Sequence, residues 1–151
     1  PKLPALDRLL QRTRSRGGMK LAPADRKGVS LLLKALQRGE MVGVLPDQVP
    51  NDEGGVFANF FGKQALTMTL VSKLVARSQA RVFCGFVVRL PKSGGFKLTI
   101  READKSIYDE DLITSVSGLN KSVENCVLTA VEQYQWEYKR FRRQSDGEKF
   151  Y

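Results

Sequence analysis

An acid and an amide stand directly behind a short apolar run in the stretch GVLPDQVPNDEGGVFANFFG, which covers residues 43–62. Side chains that follow a strand often build a site, because the rigid strand fixes where they point. Asp47 could therefore position a site by pairing with a nearby cation, and Gln48 beside it could contact a substrate. The alternative is that Asp47 only caps or braces the loop that follows it, which is common for this residue type.

Arginines alternate in the stretch QRTRSRGG, where a helix is predicted to end. Cations at a helix C-terminus stabilise the helix dipole and can remain solvated, which is the simpler explanation. The planar guanidinium is also suited to carboxylates and phosphates. The sequence therefore makes Arg14 and Arg16 candidates for contact with an anion.

Two aromatic groups could either pack inside the protein or bind a ligand. Phe57, Phe60 and Phe61 would fill the core beneath the loop, or else line a slot for an acyl chain. The terminal stretch QYQWEYKRFRRQ interleaves aromatic residues with cations. That pattern fits a nucleic-acid stacking surface, a helix on an anionic membrane, or aromatics packed inward beneath solvated cations.

The residue types that the chain lacks restrict its chemistry. It contains no His, so Ser–His and Cys–His nucleophilic pairs cannot be formed within it. Cys84 and Cys126 have no paired spacing, which predicts two separate buried thiols and no zinc site. We expect no metal site in this chain.

Length and charge predict one basic domain. The chain has 151 residues, of which 42% are hydrophobic, and this suffices for a single core over residues 1–151. Its formal net charge is +9. The surface should therefore attract phosphates, acidic proteins, anionic lipid or nucleic acid.

Apolar spacing predicts the elements that position these residues. Helical spacing covers residues 6–16, 25–39, 64–79 and about 109 to at least 130. Short apolar or alternating runs predict strands over residues 41–45, 80–90 and 96–102, of which the last two should form a hairpin around PKSGG. This order predicts an α/β fold with a mixed sheet flanked by helices.

Three blocks of the sequence together resemble the late acyltransferases of lipid A biosynthesis: LLKALQRGEMVGVLPDQVP, FFGKQALT and VEQYQWEYKRFRR. The resemblance implies a glycerolphosphate-acyltransferase-like fold at the cytoplasmic face of the Gram-negative inner membrane. It also implies transfer of a fatty acyl group from acyl carrier protein to a hydroxyl of an acyl chain on a phosphorylated glucosamine disaccharide. No cofactor beyond the acyl donor is implied, and the partners would be acyl carrier protein, the lipid A precursor and the membrane surface.

The same resemblance assigns roles to residues. The family's general base is a His in a His-x-x-x-x-Asp/Glu motif ahead of the region seen here, so we expect a chain truncated at its N-terminal side and inactive by itself. Asp47 and Arg14 match the family's motif aspartate and arginine, and would be the catalytic residues. The expected substrate-binding residues are Arg16, Gln48, Phe60, Phe61, Gly62 and Arg89. The chain departs from the family pattern at Val131 and Tyr138.

The sequence is also compatible with three alternative functions. A basic nucleic-acid-binding module would stack bases on Tyr134, Trp136 and Phe141, although these aromatics follow a helical pattern and we expect no nucleic-acid partner. A second alternative is an acyltransferase that carries out the same acyl transfer on another glycolipid. A non-catalytic scaffold that binds acyl carrier protein is the third alternative.

Overall fold

The chain divides into two compact units, Pro1–Val42 and Gly43–Tyr151, in the computed structural model. The structure describes residue 13 and residues 15–148, without the side chains of Arg16 and Asp52. Most of the predicted helix over residues 6–16 lies outside the described residues. The prediction of a single domain over 1–151 stays a prediction.

The first unit contains helix α1, Arg26–Gln37. The Asp25 carboxylate caps its start by accepting a hydrogen bond from the Gly28 N–H at 2.8 Å, which satisfies one of the free donors of the first turn. Gly39 follows the helix with φ of 76°, a left-handed conformation that glycine adopts readily. The helix predicted over residues 25–39 is confirmed.

Residues 41–45 do not form the predicted strand. A strand is stable only when a neighbouring backbone supplies its hydrogen bonds. In the described part of the chain, the ladders of the two hairpins join only their own strands. The apolar run therefore precedes Asp47 as an irregular segment.

The second unit begins with a hairpin that the sequence did not predict. Strands β1, Gly55–Phe60, and β2, Lys63–Met68, are antiparallel, with Phe60 opposite Lys63. The turn residues Phe61 and Gly62 have φ of 49° and 77°, as a two-residue hairpin turn with two left-handed positions requires. The helix predicted over residues 64–79 is thus wrong in its first part, and helix α2 covers only Leu70–Ser78.

The second hairpin is the one that the sequence predicted. Strands β3, Phe83–Arg89, and β4, Phe96–Glu102, are antiparallel. The two hairpins are separate two-stranded sheets. The α/β class is therefore confirmed in its coarse form, whereas the predicted single mixed sheet is not what the described residues form.

Helix α3, Leu112–Val127, supplies more buried apolar residues than any other described element of the second unit: Val116, Leu119, Val123 and Val127. One core cluster joins Phe60 and Ala65 of the first hairpin to Val123 and Val127, and another joins Leu119 to Ala103 and Ile107, which follow the second hairpin. The long predicted helix is confirmed but ends before residue 130. None of the helices in the described ranges combines the length and the apolar character that a membrane crossing demands.

The terminal stretch is not a continuation of this helix. After a short 3-10 turn at Val131–Gln133, residues 134–148 have irregular structure. The helical pattern of its aromatic residues was therefore misleading. We call residues 131–144 the C-terminal segment.

Candidate active site around Asp47

Asp47 lies in a turn behind Pro46 and is half-buried, while Gln48 is exposed. The next residue fastens this turn to the C-terminal segment, because the Val49 N–H donates a hydrogen bond to the Tyr138 hydroxyl at 2.9 Å. The two residues are 89 positions apart in the chain. Tyr138, where the resembled family often has His, thus holds the segment that carries Asp47.

Arg140 is buried beside this turn, with 3% of its surface exposed. It donates a hydrogen bond from Nη1 to the Leu66 carbonyl at 2.7 Å and another from Nη2 to the Thr67 hydroxyl at 2.8 Å. Its Cζ lies 5.3 Å from the centroid of the Phe60 ring, a distance at which the ring attracts the cation. Solvated cations were one of the three alternatives for the stretch that contains this arginine, and that alternative is wrong for Arg140.

Buried amide and hydroxyl groups complete the surroundings of Arg140. The Asn120 side chain donates to the Asn59 carbonyl at 2.9 Å and to Thr67 Oγ1 at 3.0 Å. The Thr67 hydroxyl in turn donates to the Ala65 carbonyl at 2.9 Å. Buried polar groups need such partners, and together they fix the plane of the guanidinium against strand β2.

Tyr134 connects Asp47 electrostatically with Arg140. Burial, followed by the negative charge of Asp47, raises the pKa of the Tyr134 hydroxyl to about 12. Burial lowers the pKa of Arg140, and Tyr134 and Asp47 both oppose that change. Asp47 therefore interacts electrostatically with the buried cation of Arg140, while its predicted role in a site with Arg14 stays a prediction.

The aromatic residues beside the site divide between core and surface. Phe60 is only 1% exposed and packs in the core, which fits the core-filling alternative. Phe61 is half-buried, and its ring centroid lies 6.0 Å from that of Trp136, which is 50% exposed. The Phe61 N–H donates to Glu124 Oε1 of α3 at 2.6 Å, which fixes the hairpin turn.

The structure describes only some of the other predicted site residues. Arg14 lies outside the described residues, and so does the side chain of Arg16, so their convergence with Asp47 stays a prediction. The Arg89 guanidinium lies 5.9 Å from the Phe96 ring centroid on the second hairpin. Gly62 occupies the exposed turn of the first hairpin.

Sequence reasoning missed how the C-terminal segment holds the unit together. The Gln133 side chain accepts from the Arg89 N–H at 2.8 Å and donates to the Arg89 carbonyl at 3.1 Å. Tyr134 and Phe141 pack against the core cluster that contains Phe60, so these rings are not free to stack bases. The sequence signals these roles only through the block VEQYQWEYKRFRR. It does not show which groups the polar side chains of this block contact.

The arrangement suits electrostatic positioning more than proton transfer by this unit alone. A half-buried carboxylate on a fastened turn can orient a cation or accept a hydrogen bond from a substrate, and the buried guanidinium of Arg140 adds positive charge to its surroundings. Across the ranges that the structure describes, no three His, Cys, Asp or Glu side chains come together as a metal site would require.

Comparison with known proteins identifies the class. The family model for bacterial lipid A biosynthesis acyltransferases matches residues 1–143, which is nearly the whole chain. The chain belongs to this family of acyltransferases.

Individual relatives agree with the family match. The chain is 32% identical over 124 residues to the lipid A biosynthesis lauroyltransferase of Escherichia coli, a match that covers 82% of this chain and 40% of the relative. It is 32% identical over 148 residues to a lipid A biosynthesis acyltransferase of Haemophilus influenzae, covering 98% and 46%. A lipid A biosynthesis palmitoleoyltransferase of Escherichia coli is 29% identical, with 96% and 48% covered. The chain thus spans less than half the length of these relatives.

Proposed function

We propose that the protein carrying this chain transfers a fatty acyl group from acyl carrier protein to a hydroxyl on an acyl chain of the phosphorylated lipid A precursor. The observation that carries the proposal is the family match over residues 1–143. Relatives named for lauroyl and palmitoleoyl transfer in lipid A biosynthesis support it. The reaction would take place at the cytoplasmic face of the inner membrane, on a glycerolphosphate-acyltransferase-like fold, with acyl carrier protein as donor and no further cofactor.

The charge of the chain fits both proposed partners. Acyl carrier protein is acidic and the acceptor carries phosphates, so a net charge of +9 would favour encounters with each of them. The same charge would favour an anionic leaflet, where each nearby cation contributes about 1 kcal/mol. The positive charge therefore fits both the proposed partners and the proposed location at the membrane.

Asp47 would act as a positioning carboxylate in this reaction. Attack of the acceptor hydroxyl on the thioester places negative charge on the thioester oxygen, which donors and cations can stabilise. Arg14 and Arg16 would contact that oxygen or the sugar phosphates, with Asp47 orienting Arg14. Because the chain contains no His, the family's general base would have to come from outside these 151 residues.

An acyl-transfer assay tests the proposal. The gene product that contains this chain is incubated with acyl carrier protein loaded with a fatty acid and with a phosphorylated glucosamine disaccharide acceptor. We expect the unchanged protein to acylate the acceptor, and Asp47→Ala to lower kcat by about 10²- to 10³-fold, as loss of one aimed polar group does. Asp146→Ala is the matched control. It changes an exposed acid that follows the C-terminal segment, and it should retain activity.

Each possible result bears on a different part of the proposal. No acylation by the unchanged, folded protein would contradict the function. Acylation with near-normal kcat in a folded Asp47→Ala protein would contradict the site while leaving the function in place. The 151 residues alone should be inactive, because general-base catalysis contributes about 10²- to 10⁴-fold.

A further inference from the structure

A cavity of about 340 Å³ lies between the second hairpin and helix α3, away from the residues assigned to acyl transfer. Its lining includes Cys84 and Arg101 of the hairpin and Ser122, Asn125 and Cys126 of the helix. Both cysteines are free thiols and half-buried. The two thiols predicted to be separate and buried therefore share one partly accessible space.

The fold places both cysteines on the lining of the same cavity. Cys84 lies on the half-buried face of β3, directly opposite Arg101 of β4. Ser122 and Cys126 are one helical turn apart and so share a face of α3. Cys84, Ser122 and Cys126 all line the same cavity, so the Cys84 side chain faces this side of the helix.

The surroundings distinguish the two thiols chemically. Burial raises the pKa of both. For Cys126, the charge of Arg101 opposes that rise, whereas the neighbouring Cys126 raises the pKa of Cys84 further. The positive charge of Arg101 thus favours the thiolate of Cys126, and the thiolate is the reactive form of a cysteine.

We propose that Cys84 and Cys126 form a dithiol modification site, which a small anionic disulfide of the oxidised-glutathione class converts into an intramolecular disulfide. This proposal is independent of the proposed acyl transfer. Cys126 lines the cavity, and Arg101 supplies a positive charge there that suits an anionic reagent. The carboxylate of Glu102, which also lines the cavity, forms an ion pair with Arg81.

The exchange balances in two steps. The Cys126 thiolate attacks one sulfur of the small disulfide, whose S–S bond breaks, and the released thiolate takes up the proton that Cys126 lost. Cys84 then gives up its proton and attacks the Cys126 sulfur, which forms the Cys84–Cys126 bond and expels the second small thiol. The protein loses two hydrogen atoms, and the small disulfide is reduced to two thiols.

The new bond would join β3 to the last turn of α3. The core between these elements is formed by Leu119, Ala103 and Ile107, and at present only non-covalent contacts and hydrogen bonds connect the hairpin to the helix there. One such bond is donated by the Asp104 N–H to Ser122 Oγ at 2.8 Å. Oxidation would therefore restrict the movement of the second hairpin relative to α3.

The test exposes the 151-residue chain to oxidised glutathione at mildly alkaline pH. Remaining thiols are then alkylated in acid-quenched, denatured samples, and intact mass and non-reduced peptide maps are recorded. We expect a monomer that has lost two hydrogen atoms, takes up no alkyl group and yields one peptide pair linked through Cys84 and Cys126.

Single serine variants provide the matched controls. Cys84→Ser should stop at a mixed disulfide with one glutathione on Cys126, because the resolving thiol is gone. Cys126→Ser should react at least about tenfold more slowly, because the thiol whose ionisation Arg101 favours is gone. Two glutathione adducts on the unchanged chain, two alkylated thiols, or disulfides only between chains would each overturn the proposal.

Discussion

Arg140 carries a charge that is almost wholly removed from water, yet its hydrogen-bond partners in the described ranges are uncharged: the Leu66 carbonyl, the Thr67 hydroxyl and the Asn120 amide. Burying a cation is costly unless other groups compensate. The nearby Asp47 contributes to that compensation. The predicted pairing of Asp47 with Arg14 stays a prediction, and no local pattern distinguishes the buried Arg140 from the exposed arginines that follow it.

Replacement of Arg140 tests this view of the site. Arg140→Met keeps the apolar stem but removes the donors to Leu66 and Thr67, so two buried acceptors lose a partner. We expect the free energy of unfolding to fall by about 2–4 kcal/mol, as measured by urea denaturation. The exposed Arg142 serves as control, since Arg142→Met should change stability by at most about 1 kcal/mol. Equal losses in the two variants would show that Arg140 does not stabilise the fold through these bonds.

Local sequence patterns predicted some helices and strands correctly and missed others. Helix α1 has its own cap in Asp25, and the second hairpin combines alternating strands with a glycine-rich turn, so both were predicted. The first hairpin was missed because its turn places Phe61 where Asn or Asp is usual, and because residues 64–79 have apolar spacing that fits a helix. The strand over 41–45 failed because pairing depends on distant backbone.

Asp104 illustrates how one side chain joins two elements. Its carboxylate lies 2.7 Å from Lys121 Nζ of α3 and accepts a hydrogen bond at 3.0 Å from the Ser106 N–H in the turn after β4. Lys121, and then Ser106, lower the pKa of Asp104 to about 2. A carboxyl whose pKa is lowered in the folded state contributes stability above its ordinary pKa of 3.8, and this contribution is lost as the pH falls towards 2.

Acid unfolding of an Asp104 variant tests this linkage. Asp104→Asn should lose less stability than the unchanged chain when the pH falls from about 4 to about 2, because its side chain does not titrate. Chemical denaturation at a series of pH values in this window measures the difference. Asp146→Asn should retain the pH dependence of the unchanged chain. Parallel curves for the unchanged chain and Asp104→Asn would contradict the assignment.

For the second unit considered as a whole, the outer face of the second hairpin is unusual. The β3–β4 register places Val87 opposite Leu98 and Arg89 opposite Phe96. Five apolar side chains on this hairpin are more than half exposed: Phe83, Val87, Phe96, Leu98 and Ile100. Contiguous apolar surface of this kind promotes association, while the net charge of +9 opposes it.

A lysine in the middle of this face should reduce self-association. Leu98→Lys is expected to lower the fraction of dimers and larger species at raised salt, where screening weakens the repulsion between copies. Sedimentation velocity measures that fraction. Gln64→Lys adds a positive charge at an exposed position of β2 and should have a smaller effect. If both variants associate equally, charge is responsible and the apolar face is not.

The hydrogen bond between Val49 and Tyr138 also has a consequence for synthesis. A ribosome that has just added Val49 must add 89 further residues before Tyr138 is available, which takes about 4 to 18 s at ordinary elongation rates. Throughout that interval the turn bearing Asp47 is made but not yet fastened. A nascent chain halted before Tyr138 would contain every residue of the Asp47 turn and still lack the hydroxyl that holds it in position.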